Sequence, residues 1–332
     1  MLNIISEGIS QKKKNEEIID NIINKIQNNT KIYTCVIPIH GVLLKKEYDM
    51  GIVKLYPYKK REEVIEEIYK EKAQKFIKDS FKSCSDFATI NVTALQPLKA
   101  VEKAVSEVNK SLNILKFLFC SDNNIYQIGV GKKSESMTDK EFLAISNDQN
   151  EGVVTHPFKY TPIPADVDKI AYDGNKVVKK LIKIQSKIFK HKKTIPLEKS
   201  LFNALNLIVA GLYSDDYETQ MSKFMSAIEA LVEQKTFTQG ITDQVCERTA
   251  LLLGKTFDAR KKMYNKMIEL YSKRSAISHG DSANINMYDT NYLWQASSRL
   301  LFYLLNNFDN FVDSNNNPKL KMKDYILTLR FR

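Results

Sequence analysis

The sequence predicts an α+β domain over residues 1–164, followed by an all-α helical bundle over residues 165–332. Three observations carry this reading. Up to Pro164, strand-like apolar runs alternate with amphipathic stretches. From Val167 to the region of Phe311, every strong hydrophobic pattern has the helical period. A chain of 332 residues also suits two domains of roughly 100–200 residues each.

The first half begins with Ile18, Ile19, Ile22, Ile23 and Ile26, which share one stripe of a helix over 15–28. Strand-like runs at 31–44 and 51–56 follow, separated by the turn-prone KKEYDM segment. Over 61–82, Val64, Ile65, Ile68, Tyr69, Phe76 and Ile77 recur at helical spacing. The carboxylates of that stretch (Glu62, Glu63, Glu66, Glu67 and Glu71) are flanked by lysines and read as a solvated face. A strand over 86–94 leads to Pro97, which suits the first turn of a helix reaching Phe119. Val101, Val105, Val108, Leu112 and Leu115 mark its apolar face. Three further β-like runs fall at 125–131, 141–147 and 152–162. Gly129 and Gly131 form a bare GxG without a GxGxxG or GxxxxGK[ST] continuation, so no nucleotide loop is supported. Neither is there a GxSxG elbow.

In the second half, Tyr217, Met221, Phe224, Met225, Ile228, Leu231 and Val232 form a helical stripe. Met263, Met267, Leu270 and Tyr271 form another, and Tyr292, Leu293, Ala296, Leu300, Tyr303 and Leu304 a third. Turn signals at Ser214-Asp215-Asp216, Gly240, Gly254 and Gly280 divide the segment into antiparallel helices. On the first of these stripes Glu229 could lie half-buried opposite Arg248, and a structural ion pair or buried hydrogen bond is expected of it rather than catalysis.

Composition narrows the function classes. With 43% hydrophobic residues, 11 Gly and 8 Pro, the chain is neither disordered nor collagen-like. The net charge of +11 points to a polyanionic partner. The excess is uneven: residues 1–197 hold 33 basic and 24 acidic side chains, against 17 and 15 in residues 198–332. It peaks in KVVKKLIKIQSKIFKHKK, where Lys179, Lys180, Lys183, Lys187 and Lys190 are candidate RNA-backbone contacts on a helix that is apolar on its other side. The alternatives are a membrane-surface strip and the ordinary solvated face of a bundle helix. Cys35, Cys84, Cys120 and Cys246 lie far apart with no CxxC pair, which argues against a disulfide framework or a metal site. No stretch approaches the ~20 apolar residues of a membrane span, and the first residues lack the apolar core of a secretory leader. A cytoplasmic protein without membrane partners or cofactors is expected.

The segment richest in chemistry is ELYSKRSAISHGDS, residues 269–282. Arg274 and His279 fall near the end of a helix, with Gly280 as its stop. A guanidinium binds a phosphate bidentately, and a near-neutral imidazole moves a proton, which together suit metal-free phosphodiester cleavage. Five helical residues turn through about 140°, so one copy does not converge both groups tightly unless the last turn distorts at Gly280, whereas a two-fold pair of such helices could close the site. Ser275 shares a face with His279 and could orient the imidazole or contact the phosphate. Lys273 and Tyr271 flank Arg274 as supporting residues, with Tyr271 read as core rather than a base-stacking ring.

YSKRSAISHG resembles the signature of the Apea-like HEPN family, in which an aromatic residue precedes Arg-Ser and then His-Gly. KFMSAIEALVE, with Glu229, is similar to that family's first core helix, and ERTALLLG, with Arg248, to its second. The likeness spans about residues 200–310. It implies an HEPN-type bundle that dimerises around the Arg–His helix, with Arg274 binding phosphate and His279 serving as general base or acid. It further implies a metal-independent endoribonuclease acting in phage defence, abortive infection or a toxin–antitoxin pair, with RNA as substrate and an antitoxin or defence protein as partner. Active superfamily members often carry Asn, Asp or His directly after the arginine, where this chain has Ser275. The alternative is a non-catalytic module that dimerises and binds nucleic acid or nucleotide.

Overall fold

A computed structural model describes residues 15–68, 86–119, 128–131, 142–145, 152–155, 164–170, 175–232, 240–280, 283–312 and 322–331. Among these are ten α-helices and a small antiparallel sheet. The chain divides into two compact units, residues 1–109 with 127–165, and residues 110–126 with 166–332.

The first unit opens with α1 (Asn15–Asn29), then β1 (Lys31–His40), β2 (Val42–Leu43), β3 (Tyr48–Asp49), β4 (Val53–Pro57) and α2 (Arg61–Ile68). The stretch read as one strand over 31–44 is broken at Gly41, whose φ of 78° is open to glycine and costly for other residues. The segment expected to be a turn contributes β3, which pairs with β4 through Tyr48–Leu55. After β5 (Asp86–Ala94) comes the long α3 (Pro97–Phe119), with residues up to Asn109 in this unit and those from Lys110 in the second. β6 (Gly129–Val130), β7 (Phe142–Ile145) and β8 (Gly152–Thr155) follow. The main sheet runs β3-β4-β5-β1-β6, antiparallel throughout, with Cys35 of β1 opposite Ile90 of β5. Alternation works as the pleat demands: Cys35, Ile37 and Ile39 are buried while their neighbours are half-exposed. Phe87 stacks on Tyr56 at 5.3 Å, and Val64 of α2 packs against both.

Two expected apolar faces differ from the structure. Among the α1 isoleucines whose side chains are described, Ile18 is buried, Ile22 half-buried, and Ile19 and Ile23 exposed. On α3, Val108, Leu112 and Leu115 are buried but Val101 is exposed. Tyr69, Phe76, Ile77, Glu71, Cys84 and Cys120 lie outside the described residues. The first glycine of the GxG has a steric origin. Gly129 pairs with His40 in the β1–β6 register, and a Cβ at Gly129 would stand 2.6 Å from the His40 Nε2.

The second unit adds α4 (Lys176–Phe189), α5 (Pro196–Leu212), α6 (Tyr217–Val232), α7 (Ile241–Leu253), α8 (Phe257–Ser278), α9 (Met287–Asn306) and α10 (Met322–Arg330) to the end of α3. Leu205, Ile208, Met225, Ile228, Cys246, Met267, Leu270, Leu293 and Leu300 form its dry interior. Tyr217, expected on the apolar stripe of α6, is exposed instead. A buried polar pair, Ser111 and Gln185, joins α3 to α4, with the hydroxyl and amide bonded at 2.8–3.0 Å. At Gly211 a Cβ would meet the Phe224 ring at 2.6 Å, so α5 and α6 approach where a side chain is missing. Burial pushes the Cys246 thiol up to about 12, helped by the Asp243 charge, which leaves it an inert core group.

Two tests follow from these contacts. Gly211→Ala should lower stability by about 1–3 kcal/mol, because Phe224 must leave its rotamer or the helices must part; urea denaturation reads this directly. Asp86 is buried at the start of β5, accepting the Tyr58 N–H at 2.9 Å, and burial pushes its carboxyl from 3.8 to about 6. Between those two pH values the folded chain binds more protons than the unfolded one. The contribution is therefore complete below about pH 4 and lost as pH rises to about 6. Asp86→Asn should flatten this dependence, on the order of 2 kcal/mol across the interval, as measured by denaturation midpoints from pH 4 to pH 7.

Candidate functional site

Helix α8 carries the candidate catalytic residues, and its beginning and end are both written in the sequence. Thr256 caps it by accepting the Ala259 N–H at 3.2 Å. At the other end His279 is the C-cap, its N–H donating to the carbonyls of Ser275 and Ala276, and Gly280 turns the chain away at φ 83°. The helix is 22 residues long, yet only Met267, Leu270 and Tyr271 are buried. Polar contacts supply much of the rest.

The first contact centres on Glu229 of α6. The Tyr271 hydroxyl donates to its Oε1 at 2.8 Å, while the Arg274 Nη2 stands 3.8 Å from its Oε2. The guanidinium also lies over the Tyr271 ring, 5.9 Å from the centroid. Burial, then the hydrogen bond to Glu229 and its charge, push the Tyr271 hydroxyl up to about 12, with Arg274 offsetting part of this. Tyr271 is thus a neutral donor that orients a carboxylate. Arg274 is partly exposed, at 28%, while its Nε is buried with no partner among the described residues. Glu229 therefore meets Arg274 and Tyr271 of α8. Arg248, expected opposite it, sends its Nη1 to the carbonyl of Val232 at 2.6 Å and closes the end of α6.

The second contact centres on Asp289 in the first turn of α9, where a carboxylate suits the helix dipole. Lys273 donates to its Oδ2 at 2.6 Å and Lys266 to its Oδ1 at 3.1 Å, with Glu269 bridging the two lysines on α8. Burial raises the Asp289 carboxyl, but the hydrogen bonds from Lys273 and Lys266 outweigh it and hold the group below the usual range. Lys273 is thereby committed to fixing α8 on α9. The pairing of Glu269 with Lys273 is legible as an i,i+4 match. Nothing in the sequence marks Asp289 as the common partner.

His279 is exposed, and among the described residues its side chain makes no hydrogen bond or ion pair. Within one chain Arg274 and His279 are not linked, as the 140° turn between them implies. Ser275 is half-buried between them. Its neighbour in sequence that does bond locally is Ser278, whose hydroxyl donates to the Arg274 carbonyl at 3.0 Å.

The lysine helix α4 divides its cations between two tasks. Lys179, Lys183 and Lys190 are exposed. Lys187 instead reaches Glu198 at 2.6 Å, a carboxylate only 2% exposed that also accepts the Ile195 N–H. Lys180 donates to the Leu305 carbonyl at 3.1 Å and lies over the Phe308 ring at 4.7 Å. Two of the five candidate RNA contacts are thus turned into the fold. No three of His, Cys, Asp and Glu converge as a metal-ligand set among the described residues, and no described helix is long and apolar enough to cross a membrane.

If the Tyr271 hydroxyl orients Glu229, removing it leaves a carboxylate that is 16% exposed with one poorly placed partner. Tyr271→Phe should cost about 1–2 kcal/mol by thermal or urea denaturation, and the double variant Tyr271→Phe with Glu229→Gln should cost less than the sum of the singles.

Comparison of the chain with protein-family models, with curated proteins and with solved structures finds no match in any of the three.

Proposed function

We propose that this chain is a metal-independent endoribonuclease of the HEPN type, its Apea-like signature being YSKRSAISHG. The observation that carries the reading is the placement of that signature on the last turns of α8, with Arg274 partly exposed and His279 exposed on the C-cap. Two copies related by a two-fold axis would bring both arginines and both histidines to one phosphate. One imidazole takes the proton of the ribose 2′-hydroxyl as its oxygen attacks phosphorus. The guanidinium groups neutralise the pentacoordinate phosphate, and the second imidazole protonates the departing 5′-oxygen. The products are a 2′,3′-cyclic phosphate and a 5′-hydroxyl. The biological setting that goes with this chemistry is cytoplasmic phage defence, abortive infection or a toxin–antitoxin pair, with an antitoxin or defence protein as partner.

One observation favours a second reading, in which the bundle dimerises and binds nucleic acid or nucleotide without cleaving it. Glu229 already stands beside Arg274, and an arginine paired with a carboxylate has less charge to offer a phosphate. Its 3.8 Å distance, against 2.6 Å for Lys273 to Asp289, leaves that guanidinium the more displaceable of the two cations.

Incubating the purified chain with RNA in EDTA distinguishes the readings. Cleavage should fall by about a hundredfold or more in His279→Ala and Arg274→Ala, with products ending in cyclic phosphate. Because His279 is exposed, His279→Ala retains its fold and reports on chemistry alone. Cleavage surviving both substitutions removes the proposed site. RNA binding without cleavage by the unaltered chain supports the binding module.

A further inference from the structure

Away from α8, a hollow of about 560 Å³ opens in the second unit where α3, α4 and α5 meet. Lys110 of α3, then His191, Lys192 and Thr194 of the α4–α5 connection, and Lys199 and Asn203 of α5 line it, over a wall that includes Ile188 and Phe202. No Asp or Glu is among the lining side chains. Glu198, the nearest acid along α5, is turned inward and neutralised by Lys187. Among the described residues the side chains of His191, Lys192, Thr194, Lys199 and Asn203 make no hydrogen bond or ion pair.

These cations are not needed to finish α4. The backbone does that itself: Lys190 N–H donates to the Ser186 carbonyl, His191 to Ile188 and Lys192 to Lys187 at 2.9 Å. The turn that makes these bonds puts His191 at φ 50°, the left-handed conformation that glycine holds with least strain. A histidine there places an imidazole on the wall of the hollow where the simplest helix stop would leave none. Donors converge from the α4–α5 connection and from α5, no acid lines the hollow among the described residues, and an apolar wall lowers the local dielectric. That combination recognises a multiply charged oxyanion.

We infer that this hollow is a phosphate-binding site, taking either the phosphate chain of a free nucleotide or consecutive phosphates of an RNA strand. It is built from other helices than those carrying Arg274 and His279, so it stands whether or not the chain cleaves RNA.

Calorimetric titration of the full chain with pyrophosphate, ATP and a short single-stranded RNA tests it at low and high salt. Binding should weaken as salt rises, and Lys192→Glu with Lys199→Glu should lower affinity by roughly tenfold or more. Both lysines are exposed, so the double variant should keep its fold. His191→Gly, which suits the turn better, should fold at least as well and also bind more weakly. Pyrophosphate or ATP binding that depends on these residues assigns the hollow to a free ligand. RNA binding alone with the same dependence assigns it to strand phosphates. The inference is overturned if none of the three binds. It is equally overturned if binding survives Lys192→Glu with Lys199→Glu while Arg274→Ala abolishes it, which would place the phosphate on α8.

Discussion

A helix of 22 residues that buries three side chains cannot be held by hydrophobic burial alone. For α8 the deficit is met by two carboxylates on neighbouring helices, Glu229 of α6 and Asp289 of α9. Each carboxylate is largely removed from water and would be costly if left unpaired, so each compels a partner from α8. The residues in register with them are Tyr271 and Arg274 on one side, and Lys266 and Lys273 on the other. The orientation of the helix end, and with it the direction in which His279 points, depends on these two demands being met together.

The same logic sorts the cations of the chain. The net charge of +11 is a property of the whole sequence, but its members do different work. Lys180, Lys187, Lys266 and Lys273 neutralise carboxylates or cap carbonyls, and their alkyl stems fill space beside the core. Lys192 and Lys199 have no such partner among the described residues and border a concavity. A count of lysines cannot distinguish these groups, because the distinction lies in what the fold brings opposite each ammonium.

Much of the fold was readable from periodicity. β5 spans Asp86–Ala94 and α3 spans Pro97–Phe119, as the pattern and the proline signal required, because both depend on neighbours along the chain. What failed had its cause elsewhere in space. Ile19 and Ile23 follow a perfect helical stripe, yet are exposed, because a stripe says which side is apolar and not whether anything covers it. Glu229 lies with Arg274 rather than Arg248 because the choice between two arginines is made by the axial register of α8 on α6. Gly129, which the sequence left without a role, is required by its strand partner His40, a neighbour far away along the chain. At the candidate site, Arg274, Ser275 and His279 were visible as a local pattern. Asp289 and Lys266, which position them, were not, since their link crosses between two helices.

The second unit takes residues 110–126 from upstream of the first unit's last segment, so the chain enters it, leaves and returns. Ser111 satisfies the buried amide of Gln185, Asn113 donates to Asn206 at 2.9 Å, and Phe117 stacks on Phe302 at 4.9 Å. All three partners belong to the later segment. Residues 166–332 therefore draw part of their packing from the end of α3, even though they contain every helix of the bundle after it. A ribosome releasing this chain must hold the end of α3 unsatisfied until α4, α5 and α9 have emerged. A protease cut near residue 165 would separate the strands of the backbone without separating what they have jointly built.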